Sequence, residues 1–200
     1  MNGKLIVLSG CSGVGKGTVV RRLLEKYPEY VLSISATTRR PREGEQEGVN
    51  YFYKTPEEFE QMIAGRELIE YAQYVGNYYG TPKAYVEDQL SQGRNVILEI
   101  EPQGALQIKQ QYPQAMLIFI NAPDLEELER RLNERGTETE EQIARRLARA
   151  QEEQRYIDDY DRQVVNGRDQ LEQCVDEIHA IVCGAAVDAA TLQNGSVAEE

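Results

Sequence analysis

Histidine is almost absent from this chain: His179 stands alone among 200 residues. Cysteine is scarce as well, with Cys11, Cys174 and Cys183 far apart and no Cys-x-x-Cys pair. That donor set argues against a zinc site. Positive charge is in deficit, 22 Lys and Arg against 34 Asp and Glu, for a net charge of −12. Nucleic-acid-binding domains usually carry a basic excess, so no nucleic-acid partner is expected. An anionic small ligand is still compatible, because a local arginine cluster can dominate inside a cleft. Long apolar runs are missing too, and no signal peptide is visible. No membrane partner is therefore expected, and the chain reads as cytoplasmic with reduced thiols.

What the chain does have is an ordinary globular composition, 40% hydrophobic and 28% charged, and length enough for one substantial core with smaller insertions. Short apolar runs occur at residues 5–8, 31–35, 96–100, 116–120 and 163–165, each bounded by turn or helix signals. Continuous runs of that length fit strands buried on both faces, as in a parallel sheet. Helical spacing lies between them. Val19, Val20, Leu23 and Leu24 share one face, and Asp124 can cap a helix carrying Leu125, Leu128 and Leu132. Thr139-Glu140-Glu141-Gln142 reads as a capping box ahead of Ile143 and Leu147, and a last helix shows Leu171, Val175, Ile178 and Val182. Strands alternating with helices predict an α/β fold with right-handed crossovers.

Two stretches interrupt the alternation. Residues 37–85 hold polar loops, short aromatic runs and a helix near 56–65, and read as an inserted subdomain. Residues 130–146 are highly charged and broken by Gly136, and read as a mobile lid between helices. The core is then formed by residues 1–36, 86–129 and 147–184. The tail at 185–200 has no sustained periodicity and reads as frayed helix and disorder.

The stretch LSGCSGVGKGT at 8–18 follows the first apolar run and precedes the first helix. Gly10, Gly15 and Lys16 fit G-x-x-x-x-G-K in the strand-to-helix context that a phosphate-binding loop requires. The glycines let backbone N–H groups wrap an anion, a helix N-terminus adds its dipole, and Lys16 offers a point charge to phosphoryl oxygens. Gly10, Cys11, Ser12, Gly13, Val14, Gly15, Lys16, Gly17 and Thr18 form the candidate ATP-binding loop. Gly17 takes the place of the usual magnesium-ligating hydroxyl, which comes one residue later at Thr18. A second cluster, SISATTRRPREGEQEGVNYFY at 33–53, sets Arg39, Arg40 and Arg42 in a loop stiffened by Pro41 and followed by Tyr51. Three arginines so close form either a solvated face or a second anion site, where guanidinium forks suit a phosphate and phenol hydroxyls add neutral donors.

Together with ELIEYAQYVGNYYGTP at 67–82, ILEIEPQGA at 97–105, ERGTETEEQIARRLARAQEE at 134–153 and VVN at 164–166, these segments resemble the guanylate kinase family. Its members are nucleoside monophosphate kinases acting on GMP, and the resemblance runs from residue 4 to about 170. It implies a P-loop kinase fold: a central parallel sheet of about five strands flanked by helices, with an inserted GMP-binding subdomain and a short lid. It also implies catalytic roles for Lys16, Arg39, Arg42, Arg131, Arg135 and Arg146, the last three closing as the lid. Arg39, Arg42, Tyr51 and Tyr79 would hold the GMP phosphate, and Ser35, Glu70, Thr81 and Glu101 would line the guanine. Asn166 would lie near the adenine, mainly through its backbone, and Glu99 would hold Mg2+ through water. Arg130, Arg145 and Arg149 read instead as partners in Arg–Glu pairs on helix surfaces.

Guanine chemistry agrees with a carboxylate at position 70. N1–H and the 2-amino group are two donors along one edge, whereas adenine presents an acceptor at N1. Taken without its neighbours, Glu70 is a strand glutamate facing solvent. Two positions depart from the family pattern: Cys11, where members often have proline, and Glu101, where they often have aspartate. The reaction implied is phosphoryl transfer from MgATP to GMP, and to dGMP, giving ADP and GDP. No general base is required, because the GMP phosphate is already an anionic nucleophile, and His179 reads as a helix residue outside catalysis. Two other readings exist: another small-molecule kinase such as an adenylate kinase, or a guanylate-kinase-like module that binds phosphorylated protein segments. The arginine loop followed by GNYYGTP and EIEPQG weighs against the first, and the retained Gly15 and Lys16 weigh against the second.

Overall fold

Every residue of Leu5–Gly10 (β1) is buried, as a strand covered on both faces requires. The structure, a computed structural model, describes residues 3–74, 76–134 and 139–184. Arg135 and the tail expected at 185–200 lie outside the described residues. After β1 come α1 (Lys16–Lys26), β2 (Tyr30–Leu32), β3 (Ala36–Thr37), β4 (Phe52–Tyr53), α2 (Pro56–Ala64), β5 (Leu68–Tyr74) and β6 (Asn77–Pro82). The chain continues through α3 (Lys83–Ser91), β7 (Asn95–Glu99), α4 (Pro102–Gln111), β8 (Met116–Asn121) and α5 (Leu125–Glu134). It ends with α6 (Glu140–Glu153), a 3₁₀ turn (Gln154–Asp159), β9 (Arg162–Val165) and α7 (Leu171–Cys183).

The main sheet has five parallel strands in the order β2-β7-β1-β8-β9. Its register sets Leu8 beside Glu99 on one side and Ile118 on the other, so the C-terminal ends of β1 and β7 arrive together. Ile6, Leu8, Ile97, Leu98, Leu117 and Phe119 are fully buried here, each contributing about 1.5–3 kcal/mol of transfer free energy. Helices α1 and α7 pack together and are pinned at their surface by Tyr27 donating to Asp176 at 2.7 Å and by Lys26 bonded to Glu172 at 3.0 Å. His179 stacks on Tyr27, the C-cap of α1, with ring centroids 3.7 Å apart.

The run at 31–35 does not continue as one strand. β2 stops at Leu32, the Ser33 N–H donates to the Ile97 carbonyl at 2.8 Å, and the chain leaves for a second sheet. That sheet has the order β4-β3-β6-β5, with β3 and β4 parallel and the other pairs antiparallel. It occupies residues 36–82 and has its own small core of Ala36, Phe59 and Leu68, with Tyr78 stacked on Phe59 at 5.2 Å. Thr55 and Glu58 close a capping box at the start of α2, where Pro56 sets the first turn. Helix α4 touches both β1 and β5, and so bridges the two sheets. Among the described residues no helix is long and apolar enough to cross a membrane.

Candidate active site

Strand β1 delivers Gly10 to the C-terminal edge of the main sheet, where open α/β sheets bind their ligands. From there the chain turns through residues 11–15. Gly13 and Gly15 have φ of 91° and 88°, a left-handed backbone that L side chains rarely adopt. Gly15 is also the N-cap of α1, and no side chain caps the helix, which leaves its N-terminal dipole for an anion. Lys16 opens α1 and donates Nζ to the Gly10 carbonyl at 3.0 Å.

The loop is braced from outside. Arg131 Nη1 and Asn166 Nδ2 both donate to the Val14 carbonyl, at 3.0 and 2.9 Å, and Arg131 Nη2 donates to the Asn166 carbonyl at 2.8 Å. Glu127 fixes Arg131 in turn, accepting from Nε at 2.7 Å. From the end of α6, the buried Glu153 accepts the Ser12 N–H at 2.8 Å and Arg149 Nε at 2.9 Å. Burial pushes the Glu153 carboxyl above the ordinary carboxylate range, against the pull of Arg149. The Cys11 thiol turns away from the loop's mouth toward the Ala150 carbonyl at 3.5 Å.

Two cavities open along this edge. The larger, about 660 Å³, is lined by residues 11–18 together with Arg21, Arg145, Arg146, Arg149 and Glu153. The smaller, about 340 Å³, has Ser35, Tyr51, Glu70 and Tyr79 among its walls. Lys16, Glu99 and Glu101 line both, so the cavities meet at three charged side chains. Glu99 ends β7 with Oε1 only 3.7 Å from where a Cβ on Gly17 would lie. Burial pushes its carboxyl up, with Lys16 pulling the other way and Glu101 adding to the rise. Glu101 occupies the N-cap position of α4 without a side-chain capping bond, and it accepts from Arg149 at 3.2 Å, tying that helix to α6.

On the smaller cavity's floor, Glu70 is buried on β5 opposite Thr81 on β6, whose hydroxyl donates to Oε1 at 2.7 Å. Burial raises the Glu70 carboxyl, and the Thr81 hydroxyl opposes that rise. Tyr51 and Tyr79 lie with centroids 6.2 Å apart, and the Arg39 guanidinium sits 5.2 Å over the Tyr51 ring. Arg39 Nη2 bonds both oxygens of Glu45, at 2.8 and 2.9 Å. Glu45 also accepts the Arg42 N–H and the Tyr53 hydroxyl, so it organises the whole arginine loop. The Arg42 residue is exposed.

A family model for guanylate kinases matches residues 2–184. The chain belongs to the guanylate kinase family. A guanylate kinase from Synechococcus sp. (strain JA-3-3Ab) is 53% identical over 180 residues, covering 90% of this chain and 82% of the relative. One from Synechocystis sp. (strain ATCC 27184 / PCC 6803 / Kazusa) is 52% identical over 182 residues, covering 91% and 94%. The crystal structure of guanylate kinase from Anaplasma phagocytophilum superposes with a TM-score of 0.72 at 33% identity, covering 92% of this chain and 86% of that one. The five-stranded parallel sheet flanked by helices is the guanylate kinase architecture.

Of the residues singled out from the sequence, the phosphate loop, Glu99 and Arg146 come together at the larger cavity, and Ser35, Tyr51, Glu70, Tyr79 and Glu101 at the smaller. Thr81 stands behind Glu70, Arg39 stands beside Tyr51, and Arg131 and Asn166 stand behind Val14. Arg135 is outside the described residues. Sequence reasoning passes over Arg21, reads Arg145 and Arg149 only as helix-surface partners and does not single out Glu153, yet all four line the larger cavity. The signal for Arg149 and Glu153 was an Arg–Glu pair at i,i+4, which looks like a solvated helix face until Ser12 packs against it. Arg130, by contrast, does form surface pairs, with Glu127 and Glu134.

Proposed function

We propose that the larger cavity takes ATP and the smaller takes GMP, so that the γ-phosphoryl group passes across the point where they meet. The observation carrying this assignment is that Lys16, Glu99 and Glu101 line both cavities. The activity is that of the family, ATP:GMP phosphotransfer: a GMP phosphate oxygen attacks the γ-phosphorus, ADP leaves and GDP forms. Such a transfer needs alignment, charge neutralisation and exclusion of water more than covalent help.

Lys16 and the loop amides then take the ATP phosphates, with Arg146 on the same cavity wall. Arg39, Arg42, Tyr51 and Tyr79 take the GMP phosphate, while Glu70, Thr81, Ser35 and Glu101 receive the guanine. Residues 37–85 form the GMP-binding insertion and 130–146 the lid. Lid closure would carry Arg131 from its place behind Val14 toward the transferring group, with Arg135 following it in the chain. Asn166 borders the adenine side.

Magnesium suits the oxygen donors at this edge. Among the described residues no cluster of three or more His, Cys, Asp or Glu able to hold a metal occurs, so the ion would be shared with nucleotide phosphates and water through Glu99. Bound there, it neutralises phosphate charge. The free thiols of Cys11, Cys174 and Cys183 support a reducing, cytoplasmic setting, and the reaction a place in purine nucleotide metabolism. dGMP belongs among the acceptors, because the assigned contacts fall on phosphate and base. ADP release measured with GMP, dGMP, AMP, CMP and UMP tests the assignment. Turnover with GMP and dGMP alone is expected, and equal turnover with AMP would overturn it.

A further inference from the structure

Gly104 stands in the first turn of α4, two residues after Pro102. Glycine is a poor helix former and alanine a better one, so its presence there needs a cause. The backbone is not that cause, since Gly104 is not among the residues with positive φ. Space is. A Cβ on Gly104 would lie 3.0 Å from Glu70 Oε2 and 3.3 Å from Ile100 Cδ1. The first distance is tight enough that the carboxylate would have to give way by a few tenths of an ångström.

Glu70 has little freedom to do so. Its other oxygen is held by the Thr81 hydroxyl at 2.7 Å, its residue is buried, and its strand is paired to the strand that carries Thr81. Gly104 and Glu70 line the same cavity. The bare Cα therefore does two things at once. It lets Oε2 stand at the cavity surface, and it leaves a flat wall beside that oxygen for a planar base.

We propose that Gly104 is a specificity-determining residue: the lack of a side chain there fixes Glu70 Oε2 where the donor edge of guanine meets it. The inference rests on the assignment of Glu70 to guanine. Displacing a charged acceptor by even a fraction of an ångström weakens its bonds to N1–H and the 2-amino group, and it leaves the ATP side untouched.

The test uses Gly104→Ala, Glu70→Gln, Glu70→Asp and the double variant G104A/E70D. Each is assayed for ADP release with GMP and with IMP, which lacks the 2-amino group, and for thermal unfolding. G104A is expected to lower kcat/KM for GMP by about tenfold to a hundredfold, with KM for ATP unchanged. Its unfolding midpoint should stay level or rise, since alanine favours the helix. The preference for GMP over IMP should narrow. In E70D the carboxylate is one methylene shorter, so adding G104A should cost less than it does in the parent. Parent-like GMP kinetics in G104A, or a penalty undiminished in the E70D background, overturns the inference. So does a lowered midpoint with both KM values raised, which would assign the glycine to packing. If E70Q leaves GMP kinetics intact, the guanine assignment itself fails. An impaired E70Q beside an unimpaired G104A removes the role of Gly104 alone.

Discussion

Lys16 donates to a carbonyl of its own loop, Gly10, at 3.0 Å, and stands with Glu99 and Glu101 where the two cavities meet. Lys16→Ala is expected to lower kcat by roughly a hundredfold to a thousandfold, the loss that follows removal of one preorganised electrostatic contact. Steady-state kinetics on a variant with parent-like unfolding would show it, and near-normal turnover would remove Lys16 from the mechanism. Glu45 makes a different kind of residue-scale statement. The Arg39 guanidinium, then the Arg42 N–H and the Tyr53 hydroxyl, hold its carboxyl down at about 2, from an ordinary 4.5. A group with a depressed folded pKa stabilises the fold fully above its unfolded value and loses that contribution as pH falls toward the folded one. The arginine loop should therefore loosen as pH drops from 4.5 toward about 2. Glu45→Gln should flatten that part of an acid-unfolding curve followed by circular dichroism, and an unchanged curve would dismiss the pair as a stabilising contact.

At the scale of elements, α6 matters most, because it starts at a capping box and ends on the phosphate loop. Thr139 accepts from Gln142 N–H at 3.3 Å and Gln142 returns the bond at 2.8 Å, while Glu153 at the far end holds Ser12. Thr139→Ala should remove about 1 kcal/mol from the helix start. Hydrogen exchange over residues 140–143 should quicken and KM for ATP should rise; unaltered exchange would argue against the cap. This box was plain in the sequence, as were β1, β7 and β8, whose unbroken apolar runs reflect burial on both faces. Strands β3 and β4 were not plain: each has two residues, too few for any periodicity. Helix α4 was obscured by Gly104 in its first turn and by a stripe reduced to Ala105 and Ile108. The site divided in the same way. The phosphate loop announces itself by local spacing, whereas the burial of Glu70 and Glu153 comes from packing between distant segments and has no local signature.

For the molecule as a whole, the meeting of two cavities at Lys16, Glu99 and Glu101 sets a geometric demand. Two anionic nucleotides must be brought end to end away from water, yet each must enter and leave. Glu70, Tyr79 and Thr81 ride on the second sheet, Arg39 on the loop between its strands β3 and β4, and Arg146 on α6. Under the proposed assignment each ligand therefore has its own arginine-bearing segment to draw inward. An adenosine–guanosine analogue joined through a phosphate chain should shrink the radius of gyration in small-angle scattering more than either nucleotide alone. Identical profiles would dismiss closure. The cysteines offer a second way to watch the same event. Cys183 is exposed, whereas Cys11 lies buried within the phosphate loop and Cys174 buried on α7. Burial pushes the two hidden thiols up to about 11 and about 12, so a thiol reagent reaches one sulfur at once and the others only when the chain opens. Cys11 bonds to Ala150 of α6, so its labelling clocks the parting of that helix from the loop, while Cys174 clocks opening around α7. Saturating ATP should lengthen the first clock far more than the second, read by mass spectrometry on the unaltered chain, which thus carries its own stopwatch for nucleotide-driven motion.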